Sequence, residues 1–470
     1  MAGFQRNPGS FRDPSGYVFS DGERILRGLN KTGTLEFESA RTCGLLSKAF
    51  EKGLLIDSRV VDASALGNSL TGARGEIPVQ VIEHPRIPLI TYPYEWTFEQ
   101  LRDAALQHLD LQLLALAHNF ELSDATAYNM QFDVGLPLHI DVLSLRRYRD
   151  GRPWEGYNQF CRQFIYPLLL ENALGVPFQR WYRGSINGVE LDEMMRLLPA
   201  WRRYTSLNLL MHVQLQAKAV KNASSNNLSN EAIRLPKISK KQYQVLLEGL
   251  RDWVASMTSK RSNKTYWADY ASINSYSNKE RSDKQAFVER TVRRWRSGAL
   301  LDVGGNSAEY SEAAIAGGAS RAYCVDGDVD ALEIAYKKRK QGMGGLLPLV
   351  MNWADPSPSQ GWAAHERASL QQRMQVDTVM ALAVVHHIVV GGNVPLSEFV
   401  RQLFAYGRKV IVEFVPKNDP MVKGLLRNRE DVFGDYTEDN FIRLLELHST
   451  IEEVYRIREK GRVLFACSQQ

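Results

Sequence analysis

From residue 299 onward, short apolar runs alternate with amphipathic stretches. ALLDV (299–303), RAYCVD (321–326), LLPLVM (346–351), VDTVMALAVV (376–385) and RKVIVEFV (408–415) are continuous apolar runs of strand length. Between them, SAEYSEAAIAGG (307–318) and DVDALEIAYKKRK (328–340) carry a helical period, the first ending in glycines that stop a helix. Continuous apolar strands separated by helices predict a parallel sheet covered on both faces. TIEEVYRIR and then RVLFAC (462–467) predict two antiparallel strands that close it.

The first half has a different rhythm. LRDAALQHLDLQLLALAHNF (101–120) places leucines at helical spacings, and WEGYNQFCRQFIYPLLLENAL (154–174) does the same. KNASSNNLSNEAIRLPKI (221–238) is rich in Asn and Ser and poor in apolar residues, the composition of a linker or long loop. Helical patterns at 240–257 and 281–296 follow it. The expected organisation is an α+β, mostly helical domain over 1–220, a linker and connecting helix over 221–262, and an α/β domain over 263–470.

Composition changes this picture little. The 470 residues exceed one ordinary core, and 44% hydrophobic with 24% charged residues is a globular composition. The net charge of +5 is spread along the chain, so nucleic-acid binding is not supported. The runs 237–241 and 290–296 read as solvated helix faces. The four cysteines, Cys43, Cys161, Cys324 and Cys467, form no CxxC pair, which argues against a zinc site or a disulfide framework. With no apolar run of membrane-spanning length, a cytoplasmic location and no membrane partner are expected. Oligomeric state is not encoded in these patterns.

The chemistry concentrates after the first α/β strand. In LDVGGNSAEY, strand, glycine turn and helix follow in order, and ligands of open α/β sheets bind past such strand ends. Gly304 and Gly305 let backbone pass close to a ligand. Asp302 would repel a dinucleotide pyrophosphate, and it suits S-adenosylmethionine (SAM), which carries an amino group and a sulfonium charge. The GxGxxG fingerprint also fails, with Asn306 and Glu309 at its later glycine positions. Asp326, ending the second strand and followed by Gly327, can accept both ribose hydroxyls. Asn352, at the end of the third strand, can bond an adenine amino group, with an apolar neighbour such as Trp353 packing on the ring. Ala381 lies on the fourth strand.

LDVGGNSAEYS, VDGDVDALE, LPLVMNWADPSPSQGW, ALAVVHHIVVGGNVPL and VEFVPKNDPMV resemble class I SAM-dependent methyltransferases, and in particular the group containing the rhizobial nodulation protein NoeA. The resemblance covers roughly residues 265–470. It implies a Rossmann-like seven-stranded sheet with an antiparallel last strand, and SAM contacts at Asp302, Gly304, Asp326 and Asn352. The chain departs from the class motif DxGxGxG at Asn306 and Ala308.

Methyl transfer needs mainly alignment, and an oxygen or nitrogen acceptor often needs a base as well. His386 and His387 follow the fourth strand and are the candidates; a structural cap is the alternative. No carboxylate sits at ligand spacing beside them, so no metal is expected there. Glu413 and Lys417 follow the fifth strand and are candidates to touch the acceptor or hold a loop. Tyr270, Tyr276 and Lys284 are candidates for a lid over SAM.

In the first half, SDATAYNMQFDVGLPLHIDVLS (123–144) gives Asp124 and Asn129 a D-x-x-x-x-N spacing, with Asp141 after a short hairpin. This resembles the catalytic and metal-binding loops of aminoglycoside-phosphotransferase-type kinases. The resemblance implies Asp124 as base, and Asn129 and Asp141 as ligands of magnesium on ATP. Leu122 stands at the HxD histidine position, Arg27 would replace the lysine, with Glu36 or Glu38 as its partner, and the glycine-rich loop is missing. The expectation is a kinase-like module that aids recognition of a small-molecule or glycan acceptor. A phosphotransferase using Mg-ATP, and a non-catalytic SAM-binding scaffold, are the alternatives.

Overall fold

The computed structural model describes residues 4–62, 77–133, 136–218, 238–261, 277–457 and 461–469. Tyr270, Tyr276 and most of the expected linker lie outside them. The chain divides into two compact units: one comprises residues 1–94, 98–261 and 360–367, the other 95–97, 262–359 and 368–470. The division at 261/262 lies within one residue of the expected start of the second domain, whereas the expected break at 220 does not divide the units. Helix Lys240–Ser256, expected in a connector, belongs to the first unit, where Gln112 Nε2 donates to Tyr243 Oη at 2.6 Å.

In the first unit, β1 (Gln5–Arg6), β2 (Gly16–Ser20), β3 (Ile25–Leu29), β4 (Arg59–Val61) and β5 (Gln80–His84) form an antiparallel sheet in the order β1-β2-β3-β5-β4. Helices α1 (Lys31–Thr42) and α2 (Leu45–Glu51) fall between β3 and β4. Asn30 starts α1 by accepting the Gly33 N–H on its side chain. Helix α3 (Phe98–Ala117) buries Leu101, Ala104, Ala105, His108, Leu109, Ala115 and Leu116, the i, i+3, i+4 face legible in the sequence. After it come β6 (Phe120–Leu122), β7 (Met130–Asp133), β8 (Leu136–His139) and β9 (Leu145–Arg147). Strands β6 and β9 pair, as do β7 and β8.

The second unit holds one seven-stranded sheet. Its strands are β10 (Ala299–Val303), β11 (Arg321–Asp326), β12 (Leu346–Val350), β13 (Val376–Ala381), β14 (Gly407–Phe414), β15 (Thr450–Ile457) and β16 (Arg462–Ser468). The order is β12-β11-β10-β13-β14-β16-β15. The first five strands run parallel, β16 is antiparallel to β14, and β15 is antiparallel to β16. Strand β13 ends at Ala381, four residues before the apolar run does, because the chain turns there with Ala383 at φ 55°.

Burial follows position in this sheet. β10 and β16 are nearly all buried, whereas β15 exposes every other residue, the alternation of an edge strand with one wet face. Helix Asn278–Trp295, opened by a Ser277/Glu280 capping box, contributes Phe287, Val288 and Val292 to the core beside Leu300, Ala322 and Ile411. From β10 the chain builds outward through β11 and β12, then returns to build β13 and β14 on the other side. That reversal is the topological switch point where α/β sheets bind ligands. Among the described residues, no helix is long and apolar enough to cross a membrane.

Candidate functional site

Asp302 lies opposite Cys324 of β11 and Met380 of β13 in the sheet register. Its side chain is buried and accepts the Ser311 hydroxyl at 2.7 Å. Burial pushes its pKa up to about 7, while the Ser311 bond draws it down and the Asp326 charge adds to the rise. A carboxyl so placed gains from a cationic ligand, because the charge lost to burial is restored by pairing.

The turn after Asp302 is wound in the left-handed region. Gly304, Asn306 and Ala308 have φ of 68°, 48° and 68°. These are the three glycine positions of the DxGxGxG motif, so both departures fall where a side chain is strained. Asn tolerates this conformation; alanine there costs about 1 kcal/mol or more. A Cβ on Gly304 would lie 2.3 Å from Val384 Cγ2, so the β10 turn and the β13 turn touch. A Cβ on Gly305 would lie 2.5 Å from Cys324 Sγ and 2.7 Å from Asp302 Oδ2. Glycine at 305 keeps a side chain off the carboxylate.

Asp326 is joined to the same turn: its Oδ2 accepts the Asn306 N–H at 2.9 Å and its Oδ1 the Asp328 N–H at 2.8 Å. Burial raises its pKa against these two backbone bonds. Gly327 is exposed, and a Cβ on it would meet nothing within 4 Å, so crowding does not require glycine there. Asn352 is exposed and its Oδ1 accepts the Ala354 N–H at 3.0 Å. The Trp353 ring, the expected cover for an adenine, is half-buried and packs on Tyr406 at 4.9 Å. Ala381 ends β13 beside Val303 and Val412 and is fully buried.

His386 is fully buried, and among the described residues neither ring nitrogen has a hydrogen-bond partner. Its ring lies 4.1 Å from that of His387. Burial, then His387, Arg462 and Lys284, hold His386 far below its usual pKa; burial and then Arg462 push His387 down to about 4. Both are neutral at physiological pH.

The remaining candidates separate. Lys284 is fully buried, 2.7 Å from Glu413 Oε2 and 4.7 Å from the Tyr310 ring centroid, so it is a core pair and not part of a surface lid. Glu413 also lies 3.7 Å from Arg462, whose guanidinium grips Asp419 at 2.8 and 3.1 Å. Lys417, four residues on, pairs instead with Asp431 at the surface. Sequence reasoning missed Ser311, Asp419 and Arg462; the one available signal was a charged residue opening the apolar strand RVLFAC.

In the first unit the structure brings Asp124, Asn129 and Asp141 together. Asn129 Nδ2 stands 3.3 Å from Asp124 Oδ2 and 3.4 Å from Asp141 Oδ2. Arg27 on β3 donates to Asp141 at 2.6 Å and to Asp13 at 2.5 Å. The expectation that Glu36 or Glu38 would partner Arg27 is therefore wrong; Glu38 bonds Arg41 and Gln80. Leu122 is buried in β6 and its carbonyl accepts the Trp154 indole N–H at 2.8 Å.

No family model matches the chain. It is 38% identical to nodulation protein NoeA of Rhizobium meliloti (strain 1021) over 464 residues, 98% of this chain and 95% of that protein. The chain belongs to the NoeA family. Solved structures similar to this NoeA-family chain include magnesium protoporphyrin IX methyltransferase (ChlM) from Synechocystis PCC 6803 with bound SAM. That match is 17% identical, covers 44% of this chain and 93% of that one, and has a TM-score of 0.31. N-methyltransferase NodS from Bradyrhizobium japonicum WM9 is 10% identical, covering 41% of this chain and 98% of that one, with a TM-score of 0.30.

Proposed function

We propose that this NoeA-family chain is a SAM-dependent methyltransferase that acts on a small-molecule or glycan acceptor. The observation that carries the reading is the buried Asp302 carboxyl beneath a left-handed turn, with Asp326 bonded to the N–H of that turn. The residues present fit the cofactor: glycine at 305 leaves beside the buried Asp302 carboxyl a space that a Cβ would fill. Asp302 would hold the amino group, Asp326 the ribose hydroxyls, and Asn352 the adenine edge once its bond to Ala354 is exchanged. When bound, SAM supplies a methyl carbon made electrophilic by the sulfonium.

The chain supplies positioning and proton management. The strand ends of β10, β11 and β13 orient the bound groups, and alignment alone removes much of a methyl-transfer barrier. For an acceptor whose oxygen or nitrogen must lose a proton, His386 is the candidate to take it, having among the described residues no hydrogen-bond partner on either ring nitrogen; its depressed pKa makes it a weak base until an acceptor or cofactor changes its surroundings.

The first unit is a kinase-like module that aids recognition. The strand order β1-β2-β3-β5-β4, with α1 after β3, supports this reading. So does the convergence of Asp124, Asn129 and Asp141, because kinases hold the metal with an Asn and a following Asp and place a cationic residue on the third strand. Calorimetric titration with SAM, and separately with ATP plus magnesium, tests the proposal. SAM binding that is lost in Asp326→Ala, with ATP silent, is expected. ATP binding without SAM binding would overturn it.

A further inference from the structure

The kinase-like reading of the first unit implies a magnesium ion held by Asn129 and Asp141, and the residues do not fit one. The Arg27 guanidinium already bonds Asp141 Oδ1 through one terminal nitrogen and Asp13 Oδ2 through the other. Its side chain is 9% exposed, so water does not screen these bonds. Asp141 has a second bond, from the Leu143 N–H at 3.1 Å, and Asn129 Nδ2 faces its Oδ2. An amide nitrogen turned toward the carboxylates presents a donor where a metal needs an oxygen.

The same stretch is fastened a second time within this unit. Asp13 lies in the connection between β1 and β2, the place of the phosphate-covering loop in a kinase. Its neighbour Arg12 donates to both oxygens of Glu366, at 2.7 and 3.0 Å. Gly9, in the same connection, abuts the Glu366 backbone so closely that a Cβ would lie 2.6 Å from its carbonyl oxygen.

We propose that Arg27 is a tethered cation that takes the place of the divalent metal, and that with Asp13 it latches the β1–β2 connection over the site. The first unit therefore holds no divalent metal between Asn129 and Asp141 and transfers no phosphoryl group. Two charges of opposite sign at short range satisfy the carboxylates permanently, whereas a magnesium ion would have to displace a covalently attached competitor.

The inference rests on the kinase-like reading of this unit and is independent of methyl transfer. The experiment is titration of the full chain with manganese(II), free metal being read by electron paramagnetic resonance, with and without ATP. Wild type is expected to leave the free-manganese signal unchanged to millimolar concentration. Arg27→Met, and Arg27→Met/Asp13→Asn, which also removes the repulsion left behind, are expected to take up one manganese per chain at least tenfold more tightly. Adding Asp141→Asn should abolish that uptake. Wild-type uptake that depends on Asp141 would overturn the proposal, as would a folded double variant that takes up none. SAM titration of the same samples reads the methyltransferase proposal separately: SAM silence with manganese gained only on removing Arg27 would sink that proposal and keep this one.

Discussion

Two sites in this chain are built on buried or half-buried carboxylates, and they dispose of the charge in opposite ways. In the second unit, Asp302 accepts a neutral hydroxyl, and its partner Asp326 accepts two backbone N–H groups. In the first unit, Asp141 accepts a guanidinium fixed to β3. A buried carboxyl bonded only by neutral donors has its pKa raised and is poised for a cationic ligand. One paired with an arginine has its pKa lowered and is already satisfied. The difference separates a site that waits for a cation from one that carries its own.

The largest expected effect comes from breaking the satisfied site. Arg27→Ala leaves the half-buried Asp13 and Asp141 without their counter-charge and should cost about 2–3 kcal/mol, below the cost of breaking a fully buried pair, read by denaturant unfolding. SAM affinity in the folded fraction should be unchanged. A loss below 1 kcal/mol would mean that the pair is solvated and the contrast is wrong.

Breaking the waiting site should act on binding and spare the fold. Asp302→Ala is expected to weaken SAM by about 100-fold, the worth of one charge-assisted interaction in a dry site, with unfolding hardly changed. Calorimetry checks the first half and thermal unfolding the second. Loss of fold with full SAM affinity in the refolded protein would make Asp302 structural.

A pH series sharpens the same point. Asp302 binds an amino cation only when ionised, so SAM affinity should rise with pH as the carboxyl loses its proton near pH 7. From pH 6 to pH 8 the gain should be about tenfold, since one pKa unit corresponds to about 1.4 kcal/mol. The histidines titrate far lower, so they do not contribute in this window. Flat affinity from pH 6 to 8 would remove Asp302 from the cofactor site. The smallest effect is expected at Ala308, held at φ 68°. Ala308→Gly should stabilise the second unit by about 0.5–1 kcal/mol by relieving that strain, seen as a small rise in melting temperature.

The strands of the second unit were legible because each is a continuous apolar run, and a strand buried on both faces has no other way to be written. ALLDV and RAYCVD match β10 and β11 residue for residue. The linker-side helix at 240–256 was legible as a helix, but its allegiance to the first unit was not, because a helical period says nothing about which core receives its apolar face. Asp302, Asp326 and the glycine turn were readable as a set because all sit within about 25 residues of one βαβ unit. Asp124, Asn129 and Asp141 were readable as a spacing.

By itself, then, the sequence determined the order of elements, the turn chemistry after β10 and the identity of the carboxylates. These are local properties, set by periodicity and by which residues tolerate a left-handed backbone. The tertiary structure decided which charges meet. Arg27 and Asp141 are 114 positions apart, and Lys284 and Glu413 are 129. No local pattern encodes such a pairing, because it depends on which strands and helices stack together. That stacking places Lys284 beside Glu413 inside the core, leaves Lys417 at the surface, and puts a guanidinium where the spacing alone suggested a metal.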